Sequence, residues 1–221
     1  MPTHAAESPL AAAAPNAVAA DTLPALLREL GRRQPEREAL VYTAFTRGGT
    51  PLRLTFAQLD AHVDALAWGL LALGIEPGEH VAVWAANVTD WVPLEFALAR
   101  IGAVLVTVNT GLKREELGYL LRQSRAVAVL HTSRTGGNEA SLELDALLGE
   151  AHPDAAGVRL RVWLPNSPDD ERPLGVLPGG GKGALPHFAA AIERGAALRA
   201  EQPELLARRE AAVRALDVVN I

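Results

Sequence analysis

The 221-residue chain contains no cysteine, which excludes disulfide bridges, thiolate metal ligands and a cysteine nucleophile together. It carries 21 Lys and Arg against 26 Asp and Glu, and the net charge of −5 argues against nucleic acid as a partner. No apolar run reaches the roughly 18 residues that a transmembrane segment needs. A hydrophobic content of 49% nevertheless excludes wholesale disorder. These features favour a folded cytoplasmic protein.

The first 20 residues are small, rich in alanine and interrupted by proline, so they offer little to bury in a core. Residues 1–10 lack the basic residues that open a secretory signal, and Pro15 and Asn16 interrupt the apolar stretch behind them. We therefore expect residues 1–20 to form a flexible tail rather than a targeting signal.

Residues 21–164 alternate between amphipathic stretches and short β-branched runs. The clearest helix follows Thr55, whose hydroxyl forms a capping box with the amide of Gln58, and it ends at Gly74. A second helix is expected to be capped by Asp90 and to stop at Gly102. Strands are expected at residues 38–42, 80–85, 103–108, 126–131 and 158–164. Strand–helix alternation with short connections predicts an α/β fold with a largely parallel sheet flanked by helices.

Residues 165–184 are rich in proline and glycine, and we expect a loop there. A Walker A loop is excluded because Val176 stands where its first glycine belongs and Gly183 replaces its Ser or Thr. The spacing of a dinucleotide fingerprint fits residues 179–184, but the strand that must precede it is interrupted. Three residues interrupt it: Pro173, Gly175 and Pro178. Nucleotide binding by these glycines remains a third hypothesis.

Residues 185–221 are expected to form a helical segment that ends in a strand. The stretch from residue 185 to residue 213 is rich in alanine and charge, with an interruption near Pro203. Residues 216–221 are apolar and resemble the beginning of a buried strand.

The side chains that commonly perform catalysis are scattered in this sequence. No serine lies in a Gly-x-Ser-x-Gly motif, and Glu115 and Glu116 suit a helix N-terminus for dipole reasons alone. The histidines show no spacing typical of metal ligands, and we expect structural roles for His62 and His131. The sequence therefore predicts no catalytic, cofactor-binding or metal-binding residue in the chain.

Four segments stand out between residues 54 and 124. They are Leu54-Thr55-Phe56-Ala57-Gln58-Leu59, Gly74-Ile75-Glu76-Pro77-Gly78-Glu79-His80-Val81-Ala82-Val83, Asn87-Val88-Thr89-Asp90-Trp91 and Leu98-Ala99-Arg100-Ile101-Gly102-Ala103-Val104-Leu105-Val106-Thr107-Val108-Asn109. In that order and at those distances they resemble the N-terminal part of the AMP-forming adenylating enzymes, the acyl-CoA synthetases and their relatives. The departures are mild, with Phe56 for the usual tyrosine, Gln58 for glutamate and Thr89 for proline.

The resemblance implies that the chain forms an N-terminal subdomain of the adenylate-forming fold. Enzymes of this family join a carboxylate to AMP and then transfer the acyl group to CoA. Residues 101–104 and 116–124 look most like the fatty-acyl-CoA ligases, so the implied substrates are fatty acid, ATP and CoA, with Mg²⁺. The residues that touch these molecules in the family lie mostly beyond residue 221. We therefore expect a fragment truncated before the phosphate-binding loop, inactive by itself and without a cofactor of its own.

Such a fragment would lack packing partners for the strand at 216–221 and for the outer faces of the helices at 59–73 and 91–101. We expect it to be marginally stable and to self-associate or to need a complementing C-terminal polypeptide. The alternative is a self-standing, non-catalytic α/β module that keeps the synthetase ancestry only as a scaffold.

Overall fold

The computed structural model describes residues 20–43, 51–149, 152–165 and 171–221. The expected tail, apart from residue 20, lies outside these ranges. No helix in the described part of the chain has the length and apolar character needed to cross a membrane.

Helices and strands alternate along most of the described chain. The helices are α1 (Leu23–Arg33), α2 (Phe56–Ala72), α3 (Trp91–Arg100), α4 (Arg114–Ser124), α5 (Ala140–Gly149), α6 (Phe188–Glu201) and α7 (Leu205–Ala212). The strands are β1 (Glu38–Tyr42), β2 (Leu52–Thr55), β3 (His80–Trp84), β4 (Val104–Thr107), β5 (Ala126–His131), β6 (Leu160–Trp163), β7 (Leu174–Val176) and β8 (Lys182–Ala184). The sequence predicted β1 and β5 to the residue, and Pro203 separates α6 from α7 as expected.

Local chemistry explains the ends of α2. The backbone N–H of Thr55 donates to Gln58 Oε1 at 2.9 Å, and the N–H of Gln58 donates to Thr55 Oγ1 at 3.3 Å. This is the predicted capping box, which satisfies two N–H groups that the first helical turn leaves unpaired. Gly74 follows the helix with φ of 75°, a conformation that glycine adopts without strain.

The centre of the fold is a parallel sheet of four strands in the order β4-β3-β5-β6. The predicted α/β class is therefore confirmed. β1 and β2 form a separate antiparallel pair. Successive residues of β3 point to opposite faces, so that Val81 and Val83 belong to one hydrophobic core and Ala82 and Trp84 to another.

Additional chain segments lie along both edges of this sheet. Beside β4, the N–H of Leu105 donates to Val219 O at 2.9 Å and the N–H of Ile221 donates back to Leu105 O at 2.9 Å. The strand expected at 216–221 does not form, and the contact with β4 is limited to an isolated parallel bridge between Asn220 and Leu105. Beside β6, the N–H of Trp163 donates to Pro186 O at 2.8 Å, which partly covers the other edge.

One face of the sheet is covered by α1, α2, α3, α6 and α7. The closest approach joins α2 to α6, where a Cβ added at Gly195 would lie 2.5 Å from the carbonyl carbon of Trp68. Trp68, Gly69, Leu70 and Leu71 are all buried as a result. The expectation that the outer face of α2 lacks a partner is therefore wrong, because α6 returns from the distant C-terminal part of the chain to cover it.

The other face is covered by α4, α5 and the β7–β8 hairpin. This hairpin is a second difference from the expectation, which was a loop throughout residues 165–184. Gly179 and Gly180 form its turn with φ of 92° and 89°, so the glycines do mark a turn. Val176 is buried against α5, and this contact with a distant element stabilises a strand that local propensity disfavours.

Candidate functional site

The order of the parallel strands creates a crevice at one edge of the sheet. From β3 the chain first adds β4 on one side and then crosses to add β5 on the other side. Ligands of open parallel sheets bind outside the carboxyl ends of the strands at such a switch in order. A cavity of about 330 Å³ lies at this place, lined by Tyr42, residues 86–88 after β3 and residues 134–137 after β5. We take this crevice as the candidate functional site.

A tight turn shapes the β5 side of the crevice. The N–H of Thr135 donates to Asn138 O at 3.0 Å, and the N–H of Asn138 donates to Thr135 O at 2.7 Å. Gly136 and Gly137 between them have φ of 53° and 79°. A Cβ at Gly136 would also lie 2.5 Å from the carbonyl oxygen of Thr110, so only glycine fits there.

Asn138 ties this turn to the loop that follows β4. Its side-chain amide donates to Thr110 O at 2.7 Å and to Leu112 O at 3.0 Å, while its Oδ1 accepts a hydrogen bond from the Lys113 ammonium. Asn138 is only 4% exposed, so these bonds are shielded from water. The two loops therefore form one connected unit at the carboxyl edge.

The crevice presents polar groups that can bind a ligand. The guanidinium of Arg134 is 77% exposed and pairs with Glu139 at 2.8 Å, leaving further donors of its fork open to solvent. Thr135 is 4% exposed, and its hydroxyl has no hydrogen-bond partner in the described part of the molecule. Tyr42 contributes a phenol, whose pKa burial raises above its ordinary value, and the exposed Asn87 adds a carboxamide. These groups suit a polar or anionic ligand.

Asp90 does not cap α3 as the sequence predicted. Asp90 itself has nearly helical dihedral angles, and its side chain makes no capping hydrogen bond. Its Oδ1 instead lies 2.7 Å from His62 Nε2 on α2. Because Asp90 follows the segment 86–88 closely, this pair anchors one wall of the crevice to α2. The structural role of His62 is therefore to bind Asp90, in line with the expectation from the sequence.

The other residues singled out from the sequence lie outside the crevice. Glu116 accepts from the N–H of Lys113 at 3.0 Å, so it caps α4 as expected. Gly179 and Gly180 adjoin the C-terminal end of α5 and Val158, which precedes β6. They therefore lie at the amino edge of the sheet, opposite the crevice. A strand follows them rather than the helix N-terminus that holds a pyrophosphate in a dinucleotide site.

Sequence reasoning did not identify Tyr42, Arg134 and Thr135. Their residue types and spacing match no catalytic motif, and two of them follow β5 by only a few residues. Only their position along the chain could have indicated Arg134 and Thr135, because residues that directly follow parallel strands meet at one edge of the sheet. Strand order was needed as well, and the sequence alone left it undetermined.

Comparison with known proteins assigns the family. The model of the AMP-binding enzyme family matches residues 27–176. Over 109 residues the chain is 44% identical to YngI of Bacillus subtilis (strain 168), provisionally named an acyl-CoA synthetase, covering 49% of the chain and 19% of YngI. Over 97 residues it is 40% identical to human medium-chain acyl-CoA ligase ACSF2, mitochondrial, covering 44% of the chain and 15% of that protein. The matched stretch thus spans less than a fifth of these relatives.

Solved structures show the same fold. The N-terminal domain of FACL13 from Mycobacterium tuberculosis superposes with a TM-score of 0.55 at 22% identity, covering 89% of this chain and 37% of that one. A fatty acyl CoA synthetase of the same organism gives a TM-score of 0.56 at 22% identity, covering 89% of this chain and 29% of that one. By its family match and its fold, the chain belongs to the AMP-binding enzymes.

Proposed function

We propose that this chain forms the N-terminal α/β part of an ATP-dependent, AMP-forming fatty-acid–CoA ligase. The match of residues 27–176 to the AMP-binding family carries this proposal, and the 44% identity to YngI over 109 residues supports the acyl-CoA assignment. In the proposed reaction a fatty-acid carboxylate displaces pyrophosphate from ATP to form an acyl-adenylate. The thiol of CoA then displaces AMP to give the thioester.

Within this reaction we assign the crevice to the binding of a phosphate-bearing substrate. Arg134 presents a planar fork of donors that matches phosphate oxygens, and beneath it the buried hydroxyl of Thr135 has no other partner. Mg²⁺ is implied by ATP chemistry, but the residues fit it poorly. Nowhere in the described ranges do three His, Asp or Glu side chains converge as metal ligands. We therefore assign Mg²⁺ to no residue here.

The crevice offers groups that bind but none arranged to do the chemistry. Acyl transfer through an adenylate needs positioned donors that absorb charge on the reacting phosphate. The relatives that catalyse such reactions are more than five times longer than the stretch they share with this chain. We therefore expect the 221-residue polypeptide to be inactive by itself and to need a complementing polypeptide.

The test is ATP–pyrophosphate exchange by the purified chain with medium- and long-chain fatty acids. We expect no carboxylate-dependent exchange, whereas full-length YngI assayed in parallel as a positive control should exchange with at least one fatty acid. Robust exchange by the isolated chain, abolished by omitting the fatty acid, would contradict the expected inactivity.

A second candidate function is a self-standing, non-catalytic module, and one observation favours it. The helices α6 and α7 cover α2 and α3, so one hydrophobic core closes without any further polypeptide. A monodisperse monomer that melts cooperatively at high temperature would support this candidate. The cytoplasmic location predicted from the sequence also remains a proposal, to be checked by cell fractionation.

A further inference from the structure

A buried arginine connects four elements next to the crevice. Arg161 on β6 is 1% exposed, and its Nε donates to His131 Nε2 at 3.0 Å. Its Nη1 donates to the carboxylate of Asp145 on α5 and to Val176 O on β7 at 2.7 Å. Its Nη2 donates to Ser141 O at 2.9 Å. A lysine could not reproduce this set, because only the planar fork of arginine reaches all four acceptors.

On one side, this network fixes the β7–β8 hairpin. The Asp145 carboxylate that binds Arg161 also accepts from the N–H of Val176 at 2.8 Å, so both backbone polar groups of Val176 are occupied. Gly175 lies against the same atoms. A Cβ there would be 2.9 Å from Leu185 Cδ2, 3.0 Å from Arg161 Nη1 and 3.0 Å from Asp145 Oδ1. Any side chain at position 175 therefore requires Leu185, the arginine, the carboxylate or the strand to shift.

On the other side, two routes lead from Arg161 to the loop that lines the crevice. In the first route, His131 accepts the Arg161 hydrogen bond at Nε2, so its own proton is on Nδ1. This Nδ1–H donates to Thr132 O at 2.8 Å, and the Thr132 hydroxyl donates to Arg134 O at 2.8 Å. Ser141 forms the second route, because its N–H donates to Ser133 O at 3.1 Å while its carbonyl accepts from Arg161. Burial, together with the Arg161 charge, lowers the pKa of His131 to about 3. The imidazole therefore stays neutral, with its single proton on Nδ1.

We propose that Arg161 is a positioning residue that sets the conformation of the crevice loop, residues 132–138, and couples it to the β7–β8 hairpin. A displacement of the hairpin moves Arg161, and the two hydrogen-bonded routes pass the movement to the backbone of Ser133 and Arg134 in the crevice loop. An effect of this coupling on substrate binding rests on the proposed function, which assigns the crevice to a phosphate-bearing substrate. The coupling itself concerns the structure of the chain, and it can be tested without a ligand.

The hairpin supplies a matched pair of variants, because Gly175 on β7 lies directly opposite Gly183 on β8. A Cβ at Gly183 would meet only Leu177 Cδ1, at an ordinary 3.6 Å. We would measure amide hydrogen exchange by mass spectrometry in Gly175→Ala and Gly183→Ala. Gly175→Ala should accelerate exchange in residues 132–138 at least tenfold and leave α1 and α2 unchanged. Gly183→Ala should stay within about twofold of wild type in the same loop.

A second readout separates positioning from general loosening. The ¹⁵N spectrum of the His131 imidazole should report the Nδ1–H tautomer in wild type and Gly183→Ala, and a mixture of tautomers in Gly175→Ala. If Gly175→Ala does not fold, Asp145→Asn replaces it, since it keeps the side-chain size while removing the carboxylate that orients Arg161.

Unchanged exchange at 132–138 and an unchanged His131 tautomer, in a variant whose hairpin exchanges faster, would overturn the coupling. Failure of the crevice to bind a phosphate-bearing substrate would instead contradict the proposed function, and it would leave the exchange result intact.

Discussion

The two faces of the parallel sheet differ in how completely helices cover them. On the face that carries Val81 and Val83, α2 lies between α3 and α6 and is buried along most of its length. On the opposite face, a largely apolar groove of about 670 Å³ lies between β4 and α4. Its lining includes Val106, Leu112, Tyr119, Leu120 and Ile221. We call the first the closed face and the second the open face.

The difference indicates where further polypeptide would act. Parallel sheets are normally covered on both faces, so an uncovered apolar strip is typical of an interaction surface. The closed face needs no such partner. We therefore expect substitutions on the closed face to change the stability of the chain, and substitutions in the groove to change its association.

The largest effect is expected from Gly195→Val on the closed face. The added Cβ would meet the backbone of Trp68 at 2.5 Å, and a backbone clash cannot be relieved by a change of rotamer. The helix α6 must move away from α2, at a cost of about 3 kcal/mol or more. Urea denaturation would measure it, with Ala196→Val on the exposed side of α6 as the matched control. Equal losses in both variants would contradict the close packing.

Arg100→Met tests the charged network of the same face. Arg100 is fully buried and binds Asp60 at 2.6 Å and Asp64 at 2.7 Å, and Arg28 and Glu210 complete the cluster. Removing one partner of a fully buried ion pair costs roughly 3–5 kcal/mol. Because Arg28 still pairs with both aspartates, we expect a smaller loss, about 2–3 kcal/mol. The double variant Asp60→Asn/Arg100→Met should lose less stability than the sum of the two single variants, and strictly additive losses would contradict the pairing.

A third prediction concerns pH and the polar network of the open face. The pKa of folded His131, about 3, lies below the ordinary 6.5, so the unfolded chain binds a proton first as the pH falls. The stability that the neutral His131 contributes to the folded chain is present above about pH 6.5 and is lost as the pH falls toward 3. The slope approaches about 1.4 kcal/mol per pH unit below pH 6.5, so the loss between pH 6.5 and 5 is roughly 1–2 kcal/mol. Denaturation at both values should show this loss in wild type and a smaller one in His131→Asn.

The sequence predicted those parts of the fold that depend on neighbouring residues. Thr55 and Gln58 form the capping box, and Gly74 and Gly102 end their helices with positive φ, because each of these features needs only local geometry. Asp90 failed as a predicted cap because a histidine 28 residues away binds its carboxylate. The crevice was missed for a similar reason, since it exists only once strand order is known.

The burial of α2 shows the limit most clearly. Its leucine stripe predicted one buried face, but Trp68 and Gly69 are buried on another by a helix that begins more than a hundred residues later. Periodicity within one helix carries no information about a second partner. The glycines at the contact, Gly69 and Gly195, have no marker in the sequence that distinguishes them from turn glycines.

The smallest effect on stability is expected in the groove of the open face. Tyr119 on α4 is 56% exposed, so Tyr119→Ser should change the free energy of unfolding by less than about 0.5 kcal/mol. Its effect on association should be much larger, because the ring supplies apolar area to the groove. Sedimentation velocity over a range of concentrations should show wild type self-associating and Tyr119→Ser shifted toward monomer.

Leu142→Ser provides the control, because Leu142 is 62% exposed on α5 and does not line the groove. It should leave association unchanged, which separates the groove from general surface hydrophobicity. A wild-type chain that stays monomeric at every concentration would remove the groove as a self-association surface. That result would favour the self-standing module. It would mean that the monomer tolerates the exposed apolar groove without a second copy of the chain to cover it.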